Sequence, residues 1–143
     1  MALIVVVEDD AFTRTLVATV LKKDEHEVLL AEDGEQGLSL VESRRPDLGI
    51  SDVQMPRLNG FDMLAAVRRH PQSGRTPVIL LTSLPERAHM RIGMTAGADD
   101  YLTKPLRPGE LREAVQAQLN KRAVYAKLHS MGGDRAAEVA LEA

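Results

Sequence analysis

Short apolar runs alternate with amphipathic stretches along most of the chain. Leu3 to Val7 is a β-branched run of strand length; Val28-Leu29-Leu30, Leu48 to Ile50 and Val78-Ile79-Leu80-Leu81 are similar, and Tyr101-Leu102 is a weaker fifth. Continuous apolar runs of this length suit strands covered on both faces. Between them, Phe12, Leu16, Val17, Val20 and Leu21 recur at helical spacing, as do Leu38 with Val41, Phe61 with Leu64, and Leu111 with Val115 and Leu119. Gly34, Gly60, Gly74, Gly97 and Gly109, with Pro46, Pro71, Pro77 and Pro108, fall where turns are needed. Strand and helix thus alternate five times, a pattern that predicts an α/β fold: a five-stranded parallel sheet, doubly wound, with right-handed crossovers.

Composition narrows the class. A chain of 143 residues accommodates one domain with a substantial core, plus a tail, but not two comfortable domains. With 44% hydrophobic and 27% charged residues it reads as soluble and globular. Its net charge of −3 gives no general attraction to nucleic acid or to an anionic membrane, so no direct nucleic-acid or membrane partner is expected. The absence of cysteine removes disulfides and thiolate metal sites. The apolar N-terminus meets Glu8-Asp9-Asp10 too soon for a signal-peptide core or a membrane span, which makes the cytoplasm the expected location. His26, His70, His89 and His129 are scattered without metal-ligand spacing.

In open α/β sheets the ligand site forms beyond the carboxyl ends of the strands. Here the first apolar run leads into Glu8-Asp9-Asp10 and the third into Asp52, while the fourth ends at Thr82 and the fifth is followed by Lys104-Pro105. Carboxylates, a hydroxyl and an ammonium therefore converge on one edge. Like charges packed closely repel unless a cation intervenes. An all-oxygen donor set suits a hard divalent ion, and Mg²⁺ commonly takes one or two carboxylates plus waters and a phosphate oxygen.

The combination of Glu8-Asp9 after a hydrophobic strand, Asp52 followed by Met55-Pro56 and Asn59-Gly60, Leu81-Thr82-Ser83, and Gly97-Ala98-Asp99-Asp100-Tyr101-Leu102-Thr103-Lys104-Pro105 resembles the receiver domain of a two-component response regulator, the chemotaxis-type regulator being its simplest form. Any one motif alone is weak; Asp52 by itself reads equally as a turn or cap residue, Thr82 or Ser83 as a helix cap, and Tyr101 as a half-buried edge residue. The resemblance covers about residues 3 to 121. It implies the flavodoxin-like strand order 2-1-3-4-5, a receiver domain over 1–121 and a helical extension or linker over 122–143.

It also implies chemistry. Asp52 would accept a phosphoryl group from the phosphohistidine of a sensor histidine kinase or phosphotransfer protein. Asp9 and Asp52 would bind Mg²⁺ directly, Glu8 through water, and the backbone carbonyl of Gln54 would complete the set. Lys104 would neutralise a phosphoryl oxygen. Thr82 would be drawn toward the new charge, Tyr101 would turn from an exposed to a buried position, and the face made by helix four, strand five and helix five would carry the change to a downstream effector. A homodimer through that face stays open, as does a phosphorylation-independent docking module. Such a domain is a phosphoacceptor, not an enzyme with an external substrate.

Three departures from the family pattern stand out. Ser83 replaces a common alanine, Ser51 replaces an apolar residue before the acceptor, and Leu84, with Gln54, flanks the path of a hydrolytic water, which predicts a long-lived acyl phosphate. Kinase recognition is expected on helix one, around Phe12, Arg14, Thr15 and Val17. A haloacid-dehalogenase-type phosphatase would need a second aspartate where Gln54 stands, and a nucleotide-binding loop would not carry Glu8-Asp9-Asp10. Toward the C-terminus, Ala114, Ala117, Lys121, Val124, Leu128 and Met131 form a weak heptad, Gly132-Gly133 should end the helix, and Asp134 could cap a short one over Arg135 to Leu141. The Gly-Gly-Asp there is followed by Arg135-Ala136 and is not a diguanylate cyclase signature.

Overall fold

The computed structural model describes residues 1–83 and 87–130, with the side chains of 87–89 and 129–130 excluded. Five strands, β1 (Leu3–Val7), β2 (Glu27–Ala31), β3 (Leu48–Asp52), β4 (Val78–Thr82) and β5 (Asp100–Thr103), alternate with α1 (Ala11–Lys23), α2 (Gly34–Arg44), α3 (Gly60–Arg69), α4 (Arg87–Thr95) and α5 (Pro108–Ser130). All strands are parallel, in the order β2-β1-β3-β4-β5.

The continuous apolar runs hide a period of two. Ile4, Val6, Ile50, Ile79 and Leu81 pack with Val17, Leu21, Leu111 and Val115 of α1 and α5. Their neighbours face the other way: Val5 and Val7 meet Val41, Met63 and Val67 of α2 and α3, and Val78 and Leu80 share a cluster with Leu64 and Tyr101. Each fully buried Leu or Ile contributes about 2 kcal/mol, so the central strands β1, β3 and β4, covered on both faces, draw stability from nearly every residue. Phe12 departs from this reading: despite its place in the apolar period of α1 it is 79% exposed. As the second residue of α1 it lies beyond the packed stripe of Val17, Ala18, Val20 and Leu21.

Glycines sit where segments meet. A Cβ at Gly34, the first residue of α2, would lie 2.0 Å from the Leu58 carbonyl oxygen. Gly97 alone among the described glycines needs a left-handed backbone, with φ of 103°.

At the end of the sheet opposite the acidic residues, Arg68 ties three segments together. Its guanidinium donates to the Gly97 carbonyl from Nε (3.1 Å) and Nη2 (2.7 Å), to Asp99 Oδ2 (2.8 Å), and to the carbonyls of Gly74 and Thr76. Asp99 Oδ2 also accepts from the Val78 N–H at 2.8 Å, which fixes the start of β4. Arg68→Met keeps the stem but strands these acceptors, and should lower unfolding free energy by about 2 kcal/mol in urea titration. A variant as stable as wild type would show the carbonyls to be adequately solvated without it.

The Lys104–Pro105 peptide bond is cis. α5 runs unbroken across residue 121 to Ser130. Met131, the Gly132-Gly133 stop and the helix expected from Arg135 to Leu141 lie outside the described residues. No helix among the described residues is long and apolar enough to cross a membrane.

Candidate functional site

β1 and β3 are adjacent, so their carboxyl ends bring Glu8-Asp9 and Asp52 together. Glu8 continues the β1 ladder, its N–H donating to the Ala31 carbonyl at 3.0 Å. Its side chain points inward and is wholly buried. Asp52 is the last residue of β3 and is 6% exposed, while Asp9 is exposed at the mouth. One carboxylate oxygen from each of the three lies within 4.8 Å of the others.

β5 brings the cation. Lys104 follows it directly, and the Lys104 N–H donates to the Thr82 carbonyl at 2.7 Å. The Lys104 ammonium donates to Glu8 Oε1 at 2.7 Å and lies 3.2 Å from Asp52 Oδ2. Thr82 closes β4, paired with Thr103 and buried. Ser51, also buried, satisfies its hydroxyl on the Asp52 carbonyl at 2.9 Å, which lets β3 continue past its apolar run.

Two buried carboxylates thus face one ammonium, with Asp9 at the mouth. Burial pushes Glu8 up from an ordinary 4.5 to about 7, with the Lys104 hydrogen bond opposing and the Asp52 charge adding to the rise. Burial likewise raises Asp52, against the pull of Lys104. For Lys104 burial alone acts downward, but Glu8 and Asp52 together outweigh it and its pKa rises. Asp10 stands apart: it caps α1 by accepting from the Thr13 N–H (2.9 Å) and hydroxyl (2.7 Å), bonds that lower its pKa.

The raised Glu8 carries a pH signature. Between about 4.5 and about 7 the folded protein keeps a proton that the unfolded chain has released, so stability falls as pH rises through that window. The loss is on the order of 3 kcal/mol when no divalent ion is present. Thermal unfolding in a chelator across this range should show the decline, and Glu8→Gln should flatten it. Constant or rising stability would remove Glu8 as the titrating group.

The donor set fits a hard divalent ion. All three side chains offer oxygen, and Glu8 Oε2 is buried with no hydrogen-bond partner among the described residues. A cleft of about 510 Å³ opens beside them, lined by Asp9, Val53, Gln54, Met55, Pro56 and Asn59. Gln54 stands at its rim, exposed.

Two supports were not singled out from sequence for the part they play. Arg14 Nη1 donates to the Glu8 carbonyl at 2.8 Å and pins the corner between β1 and α1. Asn59 Oδ1 accepts from the Asp62 N–H at 2.9 Å and starts α3 directly under Asp52. Tyr101 already points inward, 8% exposed, in a cluster with Val53, Leu64, Leu80 and Ala98. Leu84 lies outside the described residues.

A family model described as the response regulator receiver domain matches residues 4–116. The alkaline phosphatase synthesis transcriptional regulatory protein PhoP of Bacillus subtilis is 34% identical over 131 residues, covering 92% of this chain and 54% of that protein. The transcriptional regulatory protein AfsQ1 of Streptomyces coelicolor is 36% identical, over 85% of this chain and 52% of its own. The chain therefore spans about half the length of these curated relatives. Among solved structures, the chemotaxis response regulator CheY4 of Vibrio cholerae superposes with a TM-score of 0.78 at 34% identity, covering 82% of this chain and 98% of that one. The receiver domain of the sensor histidine kinase PA1611 of Pseudomonas aeruginosa, with a magnesium ion coordinated in its active-site cleft, gives 0.78 at 28% identity, covering 83% and 98%.

Proposed function

The chain belongs to the response regulator receiver domain family, and from that premise we propose that it is a phosphorylation-activated switch of a two-component system, with Asp52 as the acceptor. The observation that carries this reading is the Lys104 ammonium held between Glu8 Oε1 and Asp52 Oδ2. A buried carboxylate beside a fixed cation is a nucleophile already provided with charge compensation for an incoming phosphoryl group.

In the proposed transfer an Asp52 carboxylate oxygen attacks phosphorus, the P–N bond to the donor imidazole breaks, and its electron pair returns to the ring nitrogen. An acyl phosphate and a histidine result. Asp9, Asp52, Glu8 and the Gln54 carbonyl would hold Mg²⁺, which when bound supplies charge neutralisation for the phosphoryl oxygens. Lys104 stays within reach to pair with one of those oxygens. Thr82, at the adjacent strand end, donates its hydroxyl to another, and Tyr101 reports the change to the face of α4, β5 and α5.

This is a signalling domain, not a classical enzyme; its own slow dephosphorylation is the one turnover proposed for it. The partners would be a sensor histidine kinase or phosphotransfer protein on the side of α1 and a downstream effector on the α4–β5–α5 face, in the cytoplasm. Residues 1–121 would act as the receiver and 122–143 as a helical extension or linker. A docking module independent of phosphorylation is the second reading, favoured by one observation, the inward position that Tyr101 already holds.

Intact mass after incubation with Mg²⁺ and acetyl phosphate tests the first reading against the second. The expected result is a gain of one phosphoryl group in wild type and none in Asp52→Asn. No gain in wild type under conditions of demonstrable Mg²⁺ binding, and none with a panel of histidine kinases, would leave the docking module.

A further inference from the structure

Gly93 stands in the last turn of α4, inside a helix where a glycine costs up to about 1 kcal/mol relative to alanine. Its backbone is not left-handed, so conformational freedom does not explain it. What it faces does. A Cβ built there would lie 3.1 Å from Tyr101 Cε2, 3.2 Å from Tyr101 Cδ2 and 3.1 Å from Leu80 Cδ1. Carbon atoms in good contact sit roughly 3.5–4.0 Å apart, so a methyl group would press on the ring and anything larger would displace it.

The ring sits in the apolar cluster of Val53, Leu64, Val78, Leu80 and Ala98. Tyr101 Oη is buried there with no hydrogen-bond partner among the described residues. Burying a hydroxyl unpaired is unfavourable, so ring packing and hydroxyl desolvation oppose one another in this seat. The inward position is thus held by a close fit and weakened by a polar atom, an arrangement that small changes can tip.

We propose that Gly93 is the positioning residue for Tyr101: by lacking a side chain it keeps the inward seat open, and so sets the resting shape of the α4–β5–α5 face. The signalling consequence rests on the switch role proposed above for Tyr101; the packing relation does not.

The chain has two tyrosines and no tryptophan, so in a Tyr125→Phe background all intrinsic emission comes from Tyr101. Acrylamide quenching of that emission reads where the ring sits, without phosphodonor or Mg²⁺. The expected result is weak quenching in the parent, a measurable rise in Gly93→Ala and a several-fold rise in Gly93→Val. Chemical unfolding of Gly93→Val, Tyr101→Ala and their combination supplies a second reading, because valine should be tolerated once the ring is gone. This holds even where Gly93→Val alone does not fold. Unchanged quenching in both Gly93 variants, or a double variant whose losses simply add, overturns the proposal. Repeating the quenching after labelling with acetyl phosphate separates the two ideas: a ring that ignores phosphorylation but obeys Gly93 removes the switch role and leaves the positioning residue.

Discussion

Asp52→Asn is expected to abolish labelling by acetyl phosphate and, in a chelator near neutral pH, to make the protein more stable, within the roughly 0.5–2 kcal/mol typical of single stabilising substitutions. The two effects have one cause. The rise of the Asp52 pKa means that burial disfavours its charged form more than Lys104 rewards it. An amide of the same shape carries no charge to desolvate and no proton to bind. Lys104 keeps its 2.7 Å bond to Glu8, which loses the repulsion of Asp52, so the Glu8 pKa should fall and the pH dependence of stability should shrink with it. Activity lost while stability is gained marks a residue kept for chemistry at the expense of the fold. Melting temperatures and intact masses of the two proteins, measured side by side, check both halves. A less stable Asp52→Asn would show that the Lys104 pairing outweighs burial.

Much of this site was legible because its residues sit where apolar runs stop. The runs ending at Val7, Ile50 and Leu81 locate strand ends from local sequence, and a parallel sheet then gathers Glu8, Asp9, Asp52, Thr82 and Lys104 at one edge. What stayed hidden depends on contacts between distant segments. Asp52 does end β3 as its position suggests, but that the polar Ser51 and Asp52 still pair with Leu80 and Leu81 depends on the Ser51 hydroxyl being satisfied locally, so that the ladder continues past the apolar run. Phe12 shares the period of α1, but periodicity reports a face and not whether the sheet reaches that far along it. The inward turn of Tyr101 depends on a missing side chain eight residues earlier. Asn59-Gly60 reads as turn punctuation, whereas the structure makes it the start of α3.

Gly60→Val should cost about 3 kcal/mol of stability, the upper part of the range for overpacking, and weaken Mg²⁺ binding about tenfold. A Cβ at this position would lie 2.3 Å from the Asp52 carbonyl oxygen, 2.9 Å from Val53 Cα and 3.1 Å from the Asp52 carbonyl carbon. All three are main-chain atoms, so no flexible side chain can give way. The Gly60 N–H donates to the Val53 carbonyl at 2.8 Å, which locks the first turn of α3 onto the segment that presents Asp52. Relief must come either from α3 swinging off its Asn59 cap or from the Asp52 peptide moving, and the second displaces the proposed acceptor carboxylate from Glu8 and Lys104. Gly60→Ala should act in the same sense with a smaller effect. Gly109→Ala is the control: a Cβ there meets nothing within 4 Å, so it should be neutral or slightly stabilising in the first turn of α5. Unfolding free energies and Mg²⁺ titrations of the three variants decide the matter. If Gly60→Ala proves as harmless as Gly109→Ala, then β3 and α3 can part without cost, and the position of Asp52 is set by its strand pairing alone.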